Sequence, residues 1–149
     1  MKVTDLMLND LVFYQGQVAR VIDIYSDGQV WLCICGQDIR KLTPAEELSP
    51  IPITPEILEK SGFIKDEDEE TNGTTYHILI QTGYEANSYT IQITLYKEPI
   101  CGVNVLLKIW GWVPPYNGGT NDIHLCGANY VHELQHTIKI CRIDKEITI

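Results

Sequence analysis

"LVFYQGQVARVIDIYSDGQVWLCICG", residues 11–36, decides how the first part of this chain folds. Gly16 and Ser26-Asp27-Gly28 divide it into three apolar runs, 11–15, 17–25 and 29–35. Val18, Val21, Ile22 and Ile24 supply the β-branched residues that strands favour, and the glycine turns between runs favour hairpins. Outward from this stretch, Gly36-Gln37-Asp38 turns the chain again. "LTPAEEL" (42–48) predicts one helical turn, and "IPI" (51–53) predicts an edge strand that tolerates Pro52. Short strands closing over roughly fifty residues predict an SH3-like small β-barrel spanning 1–53. A unit of that size buries little surface, so it is expected to lean on the rest of the chain.

The remainder, 54–149, reads as an α+β subdomain: an antiparallel sheet with two helices. "TPEILEKSGF" (54–63) is fully punctuated as a helix. Thr54 caps it, Pro55 fits the first turn, Glu56 complements the dipole, and Gly62 with Phe63 fits a Schellman stop against Leu58. Strands are predicted over 75–81, 88–97 and 103–112. In the second, Tyr89, Ile91, Ile93 and Leu95 alternate with Thr90, Gln92, Thr94 and Tyr96, the period of a half-buried strand. A loop over 113–122, a short "IHL" strand and a final helix over about 129–142 complete the reading.

Composition narrows the function classes. The chain has 149 residues, net charge −9 and pI near 4.8. That balance argues against electrostatic binding to nucleic acid or to an anionic membrane, which needs a basic surface. "DEDEE" at 66–70 carries five of the twenty carboxylates and reads as a solvated loop. Asp5 and Asp10 interrupt what a signal peptide would need, and "VNVLLKIWGWV" is too short to span a bilayer, so a cytoplasmic protein is expected. The cysteines at 33, 35, 101, 126 and 141 form no C-x-x-C pair and read as reduced thiols. No glycine-rich phosphate cradle is present.

The chemistry-bearing stretch is "YVHELQHTIKIC", residues 130–141. On a helix His132 and His136 share a face, and Glu133 lies one step round. Val131, Leu134, Ile138 and Cys141 form the opposing apolar stripe. This H-E-x-x-H resembles the active-site helix of the zincin peptidases. The resemblance implies zinc on His132 and His136, with Glu133 activating the bound water. Catalytic zinc takes three protein ligands, and only thirteen residues follow His136. Arg142 stands where the metzincin continuation needs histidine. Asp144 and Glu146 come too soon after the helix for a Glu-ligand zincin. His124 and Cys126, which share one side of the "IHLC" strand, offer a structural site with the two histidines, at a spacing unlike known zinc modules.

Three stretches, "MKVTDLM..D.V", "ITPEILEKSGF" and "YVHELQH....C", together resemble a group of small uncharacterised proteins of gut-bacterial genomes and their phages or mobile elements. That resemblance runs along nearly the whole chain. It implies that the position of His136 accepts Asn, and hence a structural or docking helix rather than a peptidase. The expected function is therefore a non-enzymatic binding or accessory role through protein contacts, without cofactor. A zinc-dependent hydrolase is the alternative. The expected partner-facing surface is "WGWVPPYNGG" (110–119). There Trp110 and Trp112 face away from Val103, Val105, Leu107 and Ile109, and Tyr116 sits in the Pro/Gly loop that follows; the alternative, which small subdomains favour, is that the barrel or the 54–61 helix covers the two rings.

Overall fold

Burial that alternates along the second and third of three successive strands builds the first sheet. In a computed structural model, which describes residues 1–66, 73–81, 88–100, 103–112, 120–125, 127–140 and 144–149, β1 (Leu11–Tyr14), β2 (Gln17–Ile24) and β3 (Gln29–Ile34) form a meander. β1 and β2 are joined by Gln15-Gly16, both at positive φ (50° and 78°), the two-residue hairpin geometry that matches strand twist. β3 buries Val30, Leu32 and Ile34 and turns Trp31 and Cys33 outward, the period-two pattern its sequence carries.

β4 (Arg40–Pro44) pairs with β3. A 3-10 turn at Ala45–Glu47 then leads to β5 (Leu48–Ser49), which returns to pair with β1. The order is β4-β3-β2-β1-β5, a curled antiparallel sheet. Its core joins Leu6, Val12, Tyr14, Ala19, Val21, Val30, Leu32, Ile34, Ala45 and Leu48. The expected edge strand at 51–53 is absent; only an isolated bridge, Pro52 to Tyr130, forms there. Pro50 and Pro52 lack the N–H groups that a ladder would use.

α1 (Pro55–Lys60) has the caps its residues announce. Thr54 Oγ1 accepts from the Ile57 N–H at 3.4 Å. The Thr54 side chain and the local backbone also hold the Glu56 carboxyl below its ordinary value. At the far end Phe63 N–H donates to the Leu58 carbonyl and Gly62 N–H to that of Glu59, with Gly62 at φ 83°: a Schellman motif. Leu58 and Phe63 are both buried.

β6 (Ile64–Lys65), β7 (Gly73–Gln81), β8 (Ser88–Ile100), β9 (Val103–Trp112) and β10 (Thr120–Leu125) make a second antiparallel sheet, ordered β10-β9-β8-β7-β6. Ile91 is opposite Ile78 on one side and Ile109 on the other. Ile91, Ile93 and Tyr76 are buried, and the Thr75 and Thr94 hydroxyls bond each other at 3.2 Å. His77 on β7 pairs with Asp66 and remains partly exposed. Residues 67–70 of the acidic run lie outside the described residues.

α2 (Val131–Ile140) ends the described helices. The chain is thus α+β, mostly antiparallel strands with few helices. Its contacts gather it into two units: 1–53 with 130–147 and 149, and 54–129 with 148. The sequence division at 53/54 assigns the final helix to 54–149, whereas its contacts group it with the first sheet. Among the described residues, no helix is long and apolar enough to cross a membrane.

Candidate functional site

α2 starts where Val131 N–H donates to the Ile51 carbonyl at 2.8 Å, which fixes the helix beside the strand that leaves the first sheet. Tyr130 occupies the N-cap position, and its N–H donates to Glu133 Oε2 at 3.2 Å. A glutamate three residues into a helix that accepts from the N-cap backbone is the return half of a capping box. Glu133 therefore stands where a zincin would place its base, yet its carboxylate secures the start of its own helix. Val131, Leu134 and Ile138 form the buried stripe expected of them. Cys141 lies outside the described residues.

The face opposite that stripe is not exterior where the histidines stand. His132 is only 4% exposed. Its ring stacks on Tyr130 at a centroid distance of 5.9 Å and meets His136 edge-on at 5.8 Å. Its Nδ1 is buried without a hydrogen-bond partner. Burial holds the His132 pKa below the ordinary 6.5, against the opposing pull of Glu133, Asp10 and Asp5, so the neutral imidazole is favoured.

His136, on the face opposite the apolar stripe, is half-buried and tied to the first sheet. Its Nε2 lies 2.8 Å from both carboxylate oxygens of Asp10, a residue 126 positions earlier that is 2% exposed. Asp10 Oδ2 also accepts from the Met7 N–H at 2.7 Å. Between the two histidines, Gln135 reaches the same bend. Its Oε1 accepts from Leu11 N–H at 2.9 Å and its Nε2 donates to the Asn9 carbonyl at 3.3 Å. Asn9 holds φ 76°, a left-handed conformation that asparagine tolerates, and its N–H donates to the Val21 carbonyl. Glu133, Gln135 and His136 thus serve as a cap and a two-point clasp on residues 9–11.

With Asp10 as a carboxylate, His136 Nε2 is the hydrogen-bond donor and the ring's lone pair is on Nδ1. Among the described residues, no group of three or more His, Cys, Asp or Glu is placed to hold a metal ion. His124 lies on β10 with its side chain outside the described residues, as is Cys126. The same holds for the proposed contact surface. Trp110 and Trp112 lie two apart on β9, opposite Asp122 and Thr120 of β10, but their side chains and Tyr116 lie outside the described residues.

Sequence reasoning missed Asp10 and Gln135. For Glu133 a signal existed, since glutamate at the third helical position is a capping pattern. For Asp10 none did, because its partner is 126 residues away. The chain matches no protein-family model, curated protein or solved structure with which it was compared.

Proposed function

We propose that this is a cytoplasmic, non-enzymatic binding or accessory protein of a phage or mobile element, acting through protein contacts. The observation that carries the non-enzymatic reading is the commitment of Glu133, Gln135 and His136 to the protein itself. Glu133 caps α2, Gln135 bonds the backbone of residues 9 and 11, and His136 bonds Asp10. A hydrolase would need those groups turned toward water and substrate.

Within this reading the N-terminal sheet is an SH3-like barrel. The strand order, the 3-10 turn before β5 and the return of β5 to β1 support it. Such a fold implies no ligand of its own. Contact through protein surfaces is supported by the outward face of β2–β4. There Trp31 sits opposite Leu42, which is 45% exposed, and its Nε1 donates to the hydroxyl of Tyr25. Trp110, Trp112 and Tyr116 form a second proposed contact surface.

Metal analysis of tag-free protein purified without chelator tests the reading against a zinc hydrolase. The expected result is no stoichiometric zinc. About one zinc per chain, lost in both His132→Ala and His136→Ala, would overturn it. For the tryptophan surface, Trp112 in a Trp31→Phe, Trp110→Phe background should quench readily with acrylamide. Protection from quenching, with a loss of about 3–5 kcal/mol on Trp112→Ala, would assign that ring to the core instead.

A further inference from the structure

Beside the His136–Asp10 pair lies a cleft of about 280 Å³, walled by β2, α2 and the C-terminal stretch. Along 144–147 the residues are exposed, half-buried, exposed and buried in turn. That alternation marks an extended segment with one side against the protein. Lys145 and Ile147 therefore lie on the inward side, and Asp144 and Glu146 stand at the rim. Arg20, half-buried on β2, and Lys139, exposed on α2, also line the cleft.

Three of the eleven Lys and Arg side chains of a chain with net charge −9 thus converge on one cavity. None of the three forms an ion pair among the described residues. Arg20 as a whole is half-buried, and a guanidinium that gives up hydration gains from a hydrogen-bonded anion. Asp10 is the buried carboxylate of the lining, but both its oxygens are engaged by His136 and one by the Met7 N–H.

We propose that this cleft is a carboxylate-binding site, with Arg20 making the forked contact and Lys145 the second cationic contact. The planar guanidinium matches a carboxylate through two parallel hydrogen bonds. The charge of Asp10, Asp144 and Glu146 in the lining disfavours two negative charges on one centre, which separates a carboxylate, with one charge per centre, from a doubly ionised phosphate. An apolar cavity of about 150 Å³ holds benzene, so this one admits a dicarboxylic acid or an acidic side chain with adjoining backbone. The site goes beyond the reading of the protein as a contact module and stands whether or not α2 has any catalytic role.

The test is a titration of the isotope-labelled full chain, followed by backbone amide shifts, with succinate, with acetyl-Asp-Glu-amide and with inorganic phosphate. Saturable shifts at amides of residues 10, 20, 136 and 145–147 are expected with both carboxylates. Affinity should fall about tenfold or more in Arg20→Gln and several-fold in Lys145→Gln, and remain unchanged in Arg40→Gln on β4. Tighter binding of the peptide would identify a protein carboxylate as the natural source, and tighter binding of succinate a free acid. Absence of saturable shifts at these amides, or tighter binding of phosphate than of succinate, would overturn the proposal. So would an affinity unchanged in Arg20→Gln. Should Arg20→Gln fail to fold, Lys145→Gln alone decides, and unchanged affinity in it overturns the assignment.

Discussion

The two helices of this protein are specified in opposite ways. α1 is written by its neighbours: Thr54 before it, Pro55 at its first position, Gly62 and Phe63 after it, each bonded within a few residues. α2 takes its stripe of Val131, Leu134 and Ile138 from local periodicity, but its other face is decided by residues 9–11. A six-residue helix of the first kind is marginal alone and needs its punctuation. One of the second kind can carry a catalytic-looking sequence on a face that is engaged in packing. The contrast teaches that a short motif states which side chains share a face, and nothing about what that face meets.

The largest expected effect tests what the helices have in common. Leu58 on α1 and Leu134 on α2 are both fully buried, so Leu58→Ala and Leu134→Ala should each cost about 2–5 kcal/mol in urea melts. A Leu134→Ala loss as small as that of a plain surface change would remove α2 from the core.

Next comes the clasp, where the two helices should part. Asp10→Ala should cost about 1–3 kcal/mol, since it strips buried groups of their hydrogen-bond partner. His136→Asn should also cost more than the roughly 0.5 kcal/mol of a surface substitution, the figure its sequence position alone would predict. A double-mutant cycle between positions 10 and 136 should show coupling of at least about 0.5 kcal/mol. Additive behaviour would mean that the 2.8 Å contact contributes nothing to stability.

For α1 the matching change is smaller. Thr54→Ala removes a cap of 3.4 Å and should cost about 1 kcal/mol by the same melts. A null effect would show that the Schellman stop and the burial of Leu58 suffice.

The smallest effect is a pH dependence confined to α2. Because burial lowers the His132 pKa below 6.5, the unfolded chain binds the proton more readily than the folded one. The contribution is fully present above pH 6.5 and is lost as pH falls through the folded value. Chemical denaturation between about pH 7 and about pH 5 should show a shallower decline for His132→Gln than for the wild type. An equal or steeper decline in the variant would place the titration elsewhere.

Whatever rests on near neighbours could be read from the residues alone. The turn at Gly16, the bounds and both caps of α1, the alternation of β3, and the buried positions Leu134 and Ile138 all belong to this class. Each depends on backbone sterics or on a period of two or 3.6 residues, both of which are local. The strand expected at 51–53 failed on an equally local fact, the missing N–H groups of Pro50 and Pro52, which deserved more weight. Other features needed the chain in three dimensions. The burial of His132, the pairing of His136 with Asp10, the clasp of Gln135 on residues 9 and 11, and the grouping of 130–147 with 1–53 are of this kind. Hydrogen bonds between residues 124 to 126 positions apart follow from how α2 is laid against β1, and no spacing or periodicity within either segment encodes that approach.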